Sequence, residues 1–134
     1  MPEDIFYADA TELAQRIRDR VLSPVEVVQA HLDRIEAVNP KMNALIAFPE
    51  RVLEQAREAE AAIARGENRG PLHGVPFTVK DCVDTQGVRT TRGSKLFEDH
   101  VPTADATVVK RLKDAGGIFI AKTNMPEFAL WWET

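Results

Sequence analysis

The sequence predicts an α/β fold in which helices lead into the first strands of a sheet. Capped apolar stripes at helical spacing occupy the first 69 residues. Beyond Gly70 the texture changes to short, β-prone runs. Two such runs flank one amphipathic stretch, which is the strand–helix–strand order of a βαβ unit. Residues 1–69 are therefore expected to be mainly helical, and residues 70–134 to begin the α/β core.

Asp9 followed by Glu12 fits a helix start, with Leu13, Ile17 and Val21 on one face. Ser23-Pro24-Val25-Glu26 is a fuller start. Ser23 can cap, Pro24 suits the first helical position, and Glu26 completes a capping box. Val25, Val28, Leu32, Ile35 and Val38 continue that stripe until Asn39-Pro40, where the residue before proline disfavours helix. Pro49 can begin a third helix to about Arg65. It would bury Val52, Ala56, Ala59 and Ile63, expose Glu54 and Glu58, and end at Gly66. Asn68-Arg69-Gly70-Pro71 reads as a loop.

Val75-Pro76-Phe77-Thr78-Val79 reads as a buried strand running into Lys80-Asp81, with Pro76 at its entry because proline cannot donate to a ladder. A polar loop spans Thr85 to Gly93. Thr103 can cap a helix from about Ala104 to Ala115, with Val108, Val109 and Leu112 inward and Gly116-Gly117 ending it. Ile118-Phe119-Ile120-Ala121 is a second buried strand, followed by a Lys122-Thr123-Asn124 loop.

Composition excludes several classes. The chain has 134 residues, 44% hydrophobic and 28% charged, which suits one globular domain. Seventeen Lys/Arg against 21 Asp/Glu give −4, so no basic excess marks a nucleic-acid partner. One cysteine excludes an internal disulfide framework and a cysteine-based zinc site. Met1-Pro2-Glu3-Asp4 lacks the basic start of a signal peptide, and no apolar run approaches the ~20 residues that span a bilayer. A cytoplasmic protein without a membrane partner is expected.

Gly87 to Lys95 resembles a phosphate loop only superficially. Its glycine spacing is one residue too long, and Ser94 precedes Lys95 instead of following it. Thr91 and Ser94 are read as loop-stabilising hydroxyls. His31, His73 and His100 share no metal-ligand spacing. Cys82 is read first as a small core residue. Lys80 demands more. An ammonium at the end of an apolar strand loses water, which lowers its pKa and makes it a competent general base. The alternative is a surface lysine paired with Asp81. The carboxyl ends of both strands carry polar groups, and sites gather at that edge of α/β sheets.

Gly70-Pro71-Leu72-His73-Gly74-Val75-Pro76-Phe77-Thr78-Val79-Lys80-Asp81 resembles the lysine motif of the amidase signature family. Gly87-Val88-Arg89-Thr90-Thr91 with Gly93-Ser94, Asp105 to Val109, Ala115-Gly116, and Ala121-Lys122-Thr123-Asn124-Met125-Pro126-Glu127-Phe128-Ala129 match its following blocks. Ser23 to Glu26 and Asn39 to Ala44 match its amino-terminal region. The resemblance is collinear over nearly the whole chain. It implies the amino-terminal part of a fold with a large mixed sheet covered by helices on both faces. It also implies hydrolysis or transfer of amide groups by a Ser–cis-Ser–Lys set, with no cofactor and no metal. Lys80 would be the catalytic lysine, and a small-molecule amide the substrate. Stand-alone members are often homodimers.

No Gly-Gly-Ser-Ser-Gly-Gly run, the family's setting for both serines, occurs in these 134 residues. Ser23 and Ser94 lack that setting. The expectation is an amino-terminal fragment that supplies the lysine and part of the pocket, is inactive alone, and is partnered by the remainder of the amidase polypeptide. A short non-catalytic homologue is the alternative. Ala129, Leu130 and Trp131 fall in a stretch that lines the acyl side of the substrate pocket in related amidases. With Trp132 they favour an apolar or aromatic amide, unless both tryptophans pack in the core. The A subunit of glutamyl-tRNA(Gln)/aspartyl-tRNA(Asn) amidotransferase shares the pattern but usually has Gly and Ser after the Phe-Ala pair. A stand-alone amidase is favoured over it. A non-catalytic interaction module is a third reading.

Overall fold

The computed structural model describes residues 2–132. Met1, Glu133 and Thr134, the outer limits of the expected domain, lie outside the described residues. Three helices open the chain: α1 (Pro2–Tyr7), α2 (Ala10–Arg18) and α3 (Pro24–Met42). Asp9 caps α2 by accepting from the Glu12 N–H at 2.8 Å. Leu13 and Ile17 are buried as expected, but α2 stops at Arg18, so Val21 lies beyond it and is exposed. The capping box at Ser23 is complete in both directions. Helix α1 was not legible, since its six residues carry no cap or stripe long enough to register.

Helix α3 runs through Pro40 instead of ending before it. Proline removes one ladder bond, and residues on either side of it, Asn39 and Asn43, secure the helix end. The Asn39 side chain holds the Leu45 backbone at both its N–H and its carbonyl, at 2.9 and 2.8 Å. Asn43 then closes the helix in the left-handed conformation, its N–H donating to the Asn39 carbonyl. This clamp delivers the chain into β1 (Leu45–Ala47), a strand too short to have been seen in the sequence. Helix α4 (Val52–Ala64) starts three residues after Pro49, because Arg51 takes a left-handed conformation (φ 63°) at its N-cap. It buries Val52, Ala56, Ala59 and Ala62, and Gly66 (φ 79°) follows its C-cap.

Strand β2 (Pro76–Lys80), helix α5 (Thr107–Asp114) and strand β3 (Ile118–Thr123) form the expected βαβ unit, with β2 and β3 parallel. Helix α5 starts at the Ala106 cap, not at Thr103, and Val108 is 54% exposed while Val109 is fully buried. Val108 and Val109 are adjacent and so point about 100° apart on the helix, and Val109 is the one that faces fully inward. Strand β3 continues through Lys122 and Thr123, which were expected in a loop. It also pairs antiparallel with β1, giving a mixed sheet of order β1-β3-β2.

One face of the sheet packs Ile118 and Ile120 against Val28 of α3 and Val52, Ala56 and Ala59 of α4. The other packs Val79 and Phe119 against Val109 of α5 and Val88. Helices thus cover both faces, and β3 lies between two strands. A bulge interrupts the β2–β3 register between Phe77 and Thr78. Phe77 pairs with Phe119 and Val79 with Lys122, so one extra residue on β3 puts positions 119 and 122 on the same side. Among the described residues no helix is long and apolar enough to cross a membrane.

Candidate active site

Lys80 is the last residue of β2 and pairs with Thr123. Its side chain is exposed, as is that of Thr78 two residues earlier. The burial expected of Lys80 at the end of an apolar strand is therefore not found among the described residues. Among the described residues strand β2 is an edge strand of the sheet, flanked by β3 on one side only. Burial of its Val79 face leaves the opposite face, which carries Thr78 and Lys80, open to solvent.

Asp81 is the first residue of the following turn and is fully buried. It is no partner for Lys80, since among the described residues no ion pair joins them. One carboxylate oxygen of Asp81 accepts from both the backbone N–H (3.0 Å) and the hydroxyl (2.5 Å) of Thr91. Among the described residues the other oxygen has no partner. The Asp81 backbone N–H donates to the Thr123 carbonyl at 3.1 Å. The Val83 N–H donates to the Lys80 carbonyl at 2.9 Å, closing a tight turn over Asp81 and Cys82. Cys82 is exposed on this turn, not in the core.

Beneath the turn lies a second lysine. Lys122 is 0% exposed. Its Nζ donates to the Val83 carbonyl and, at 3.3 Å, to the Thr85 hydroxyl. Burial pushes the amine below the ordinary lysine range, while Asp81, Asp84 and Cys82 oppose that shift. Sequence reasoning placed Lys122 in a polar loop and missed its burial and that of Asp81. The signal for Lys122 is its place directly after four apolar residues of a strand that the sheet flanks on both sides.

A second segment reaches the same edge. The Ser94 hydroxyl donates to Glu127 at 2.5 Å, and Thr91 grips Asp81, so both hydroxyls stabilise the loop as expected. Gly93 (φ 69°) meets the chain so closely that a Cβ would lie 2.8 Å from the Met125 and Pro126 carbonyl oxygens. Arg92 joins the two segments through its backbone. Its N–H donates to the Asp81 carbonyl at 3.1 Å, and its own carbonyl accepts from the Phe128 N–H at 2.9 Å. Asp81 and Phe128, the chain neighbours of Lys80 and Ala129, are thus linked through Arg92.

Phe128 and Ala129 both adopt left-handed backbone (φ 51° and 57°). They turn the chain outward, leaving Leu130 79%, Trp131 59% and Trp132 78% exposed. The two indoles stack at 4.0 Å between ring centroids. The tryptophans are therefore surface residues in this chain, not core.

A family model described as Amidase matches residues 26–134. The A subunit of a glutamyl-tRNA(Gln) amidotransferase from Carboxydothermus hydrogenoformans is 47% identical over 128 residues, covering 95% of this chain and 26% of that protein. An acylamidase from Rhodococcus erythropolis is 44% identical over 126 residues, covering 93% and 26%. Among solved structures, the peptide amidase from Stenotrophomonas maltophilia superposes with a TM-score of 0.84 at 34% identity, covering 90% of this chain and 25% of that one. The chain spans about a quarter of the length of these relatives.

Proposed function

The chain belongs to the amidase family, and from that premise we propose that it forms the lysine-bearing part of an enzyme that hydrolyses carbon–nitrogen amide bonds. The observation that carries the reading is Lys80, exposed at the carboxyl end of an outer parallel strand within the family's matched region. Two serines outside these residues would complete the set. One attacks the amide carbonyl and gives its proton to the second, bridging serine, which passes its own to neutral Lys80. The proton returns along the same path to the leaving amine, and water then hydrolyses the acyl-enzyme. The lysine must be neutral to start. Lys80 is hydrated in this chain, so the reading requires serine-bearing polypeptide to cover the open side of β2 and dry it.

Leu130, Trp131 and Trp132 present apolar and aromatic surface at the same edge. They favour an amide with an apolar or aromatic acyl group, with Ala129, Leu130 and Trp131 lining the acyl side. A second reading rests on the 47% identity to the A subunit of an amidotransferase, which would make the chain part of an enzyme that amidates charged tRNA. Two assays on the enzyme containing this chain separate them: hydrolysis of an aryl amide, and glutamine-dependent amidation of glutamyl-tRNA. Aryl amide turnover without tRNA amidation supports the amidase. The reverse result overturns it in favour of the amidotransferase.

A further inference from the structure

We infer that Lys122 is a positioning residue for Lys80, acting through the Val83 backbone. The inference rests on the reading of Lys80 as the general base. The Val83 N–H donates to the Lys80 carbonyl, and the Val83 carbonyl accepts from the Lys122 amine. The Thr85 hydroxyl completes the anchor, donating to the same carbonyl at 3.2 Å while lying 3.3 Å from Nζ. The turn that ends β2 is therefore bolted to the central strand from below.

The bulge in β3 makes this reach possible. With regular alternation, residue 122 would share the side of Ile118 and Ile120 and face α3 and α4. The extra residue instead puts Lys122 on the side of Val79 and Phe119, under the turn. Packing alone does not explain the choice of residue. A buried amine costs free energy that a methionine of similar length would not, and burial opposes the charge of Lys122. What methionine cannot supply is a donor to the Val83 carbonyl. The retained amine thus points to the turn, and the turn fixes where the Lys80 stem departs.

The test compares Lys122→Met with Lys80→Ala in the enzyme containing this chain. Lys122→Met is expected to fold, to lower kcat about 10- to 100-fold with KM within about twofold, and to shift the acidic limb of the pH profile. Amide exchange at Val83 should accelerate, while exchange in α4 stays unchanged. A Lys122→Met enzyme with wild-type kcat and pH profile, beside an inactive Lys80→Ala, overturns the role of Lys122 alone. An active Lys80→Ala overturns the reading of Lys80, and the positioning role falls with it. If Lys122→Met does not fold, Thr85→Val and Thr85→Ser replace it. Thr85→Val should reduce kcat several-fold and Thr85→Ser should restore it, whereas a Thr85→Val enzyme equal to wild type overturns the inference.

Discussion

Strands β2 and β3 each run from apolar residues into a lysine, yet the two lysines end in opposite settings. Lys80 closes an outer strand and is exposed. Lys122 lies one residue before the end of the central strand and is sealed from solvent. The apolar runs before them are alike, so local sequence does not separate the two. Facing does: the bulge turns Lys122 to the covered side of Val79 and Phe119, whereas Lys80 shares the open face of β2 with Thr78. The contrast teaches that an apolar strand reports burial of the strand, not of the charged residue at its end. On the proposed reading it also divides the labour, with one amine open to serve chemistry and the other holding its scaffold.

The contrast can be broken or sharpened by substitution. Lys122→Ala should destabilise the chain by about 2–5 kcal/mol, because it empties a buried site and strips a donor from the Val83 carbonyl. Lys80→Ala, at an exposed position, should stay within about 0.5 kcal/mol of wild type. Urea unfolding measures both, and equal losses would break the comparison. Gly93→Ala comes next, at about 1–3 kcal/mol, since its Cβ would strike two carbonyls in a left-handed backbone. Faster amide exchange at Phe128 should accompany it as the loop parts from residues 125–128. Ser23→Ala should cost about 1 kcal/mol through loss of the capping box, far from either lysine. It serves as a control, because hydrolysis by the enzyme should be unchanged.

The gentlest probe is pH. Burial lowers the pKa of Lys122 in the folded chain, so the unfolded chain holds more protons on that amine between the lowered value and the ordinary lysine range. Stability from this group therefore rises as pH climbs through that alkaline window. Lys122→Met should lack that rise, and parallel unfolding curves for the two proteins across the window would contradict the burial of the amine.

The capping box at Ser23, the βαβ order and the role of Gly66 were legible because each is written in neighbouring residues. The overrun of Pro40 was not, because its remedy is a side chain, Asn39, gripping the backbone six residues ahead. The start of α5 was misread because Thr103 offers a hydroxyl that the chain does not use as a cap. The site was half legible. Lys80 and the loop hydroxyls stood out by type and position. The buried Asp81 and Lys122 depend on a bulge and on strand order, which join residues some forty positions apart. The tryptophans were undecided in the sequence, and two left-handed residues before them put them on the surface.

The central claim is that Lys80 carries the proton in amide hydrolysis. It is tested most directly by kcat/KM for an aryl amide in Lys80→Ala and wild-type forms of the enzyme containing this chain, with folding checked by unfolding free energy. The expected result is a loss of about 10²- to 10⁴-fold with stability unchanged. A Lys80→Ala enzyme that keeps more than about a tenth of wild-type kcat/KM, less than about 1.4 kcal/mol of barrier, would contradict it.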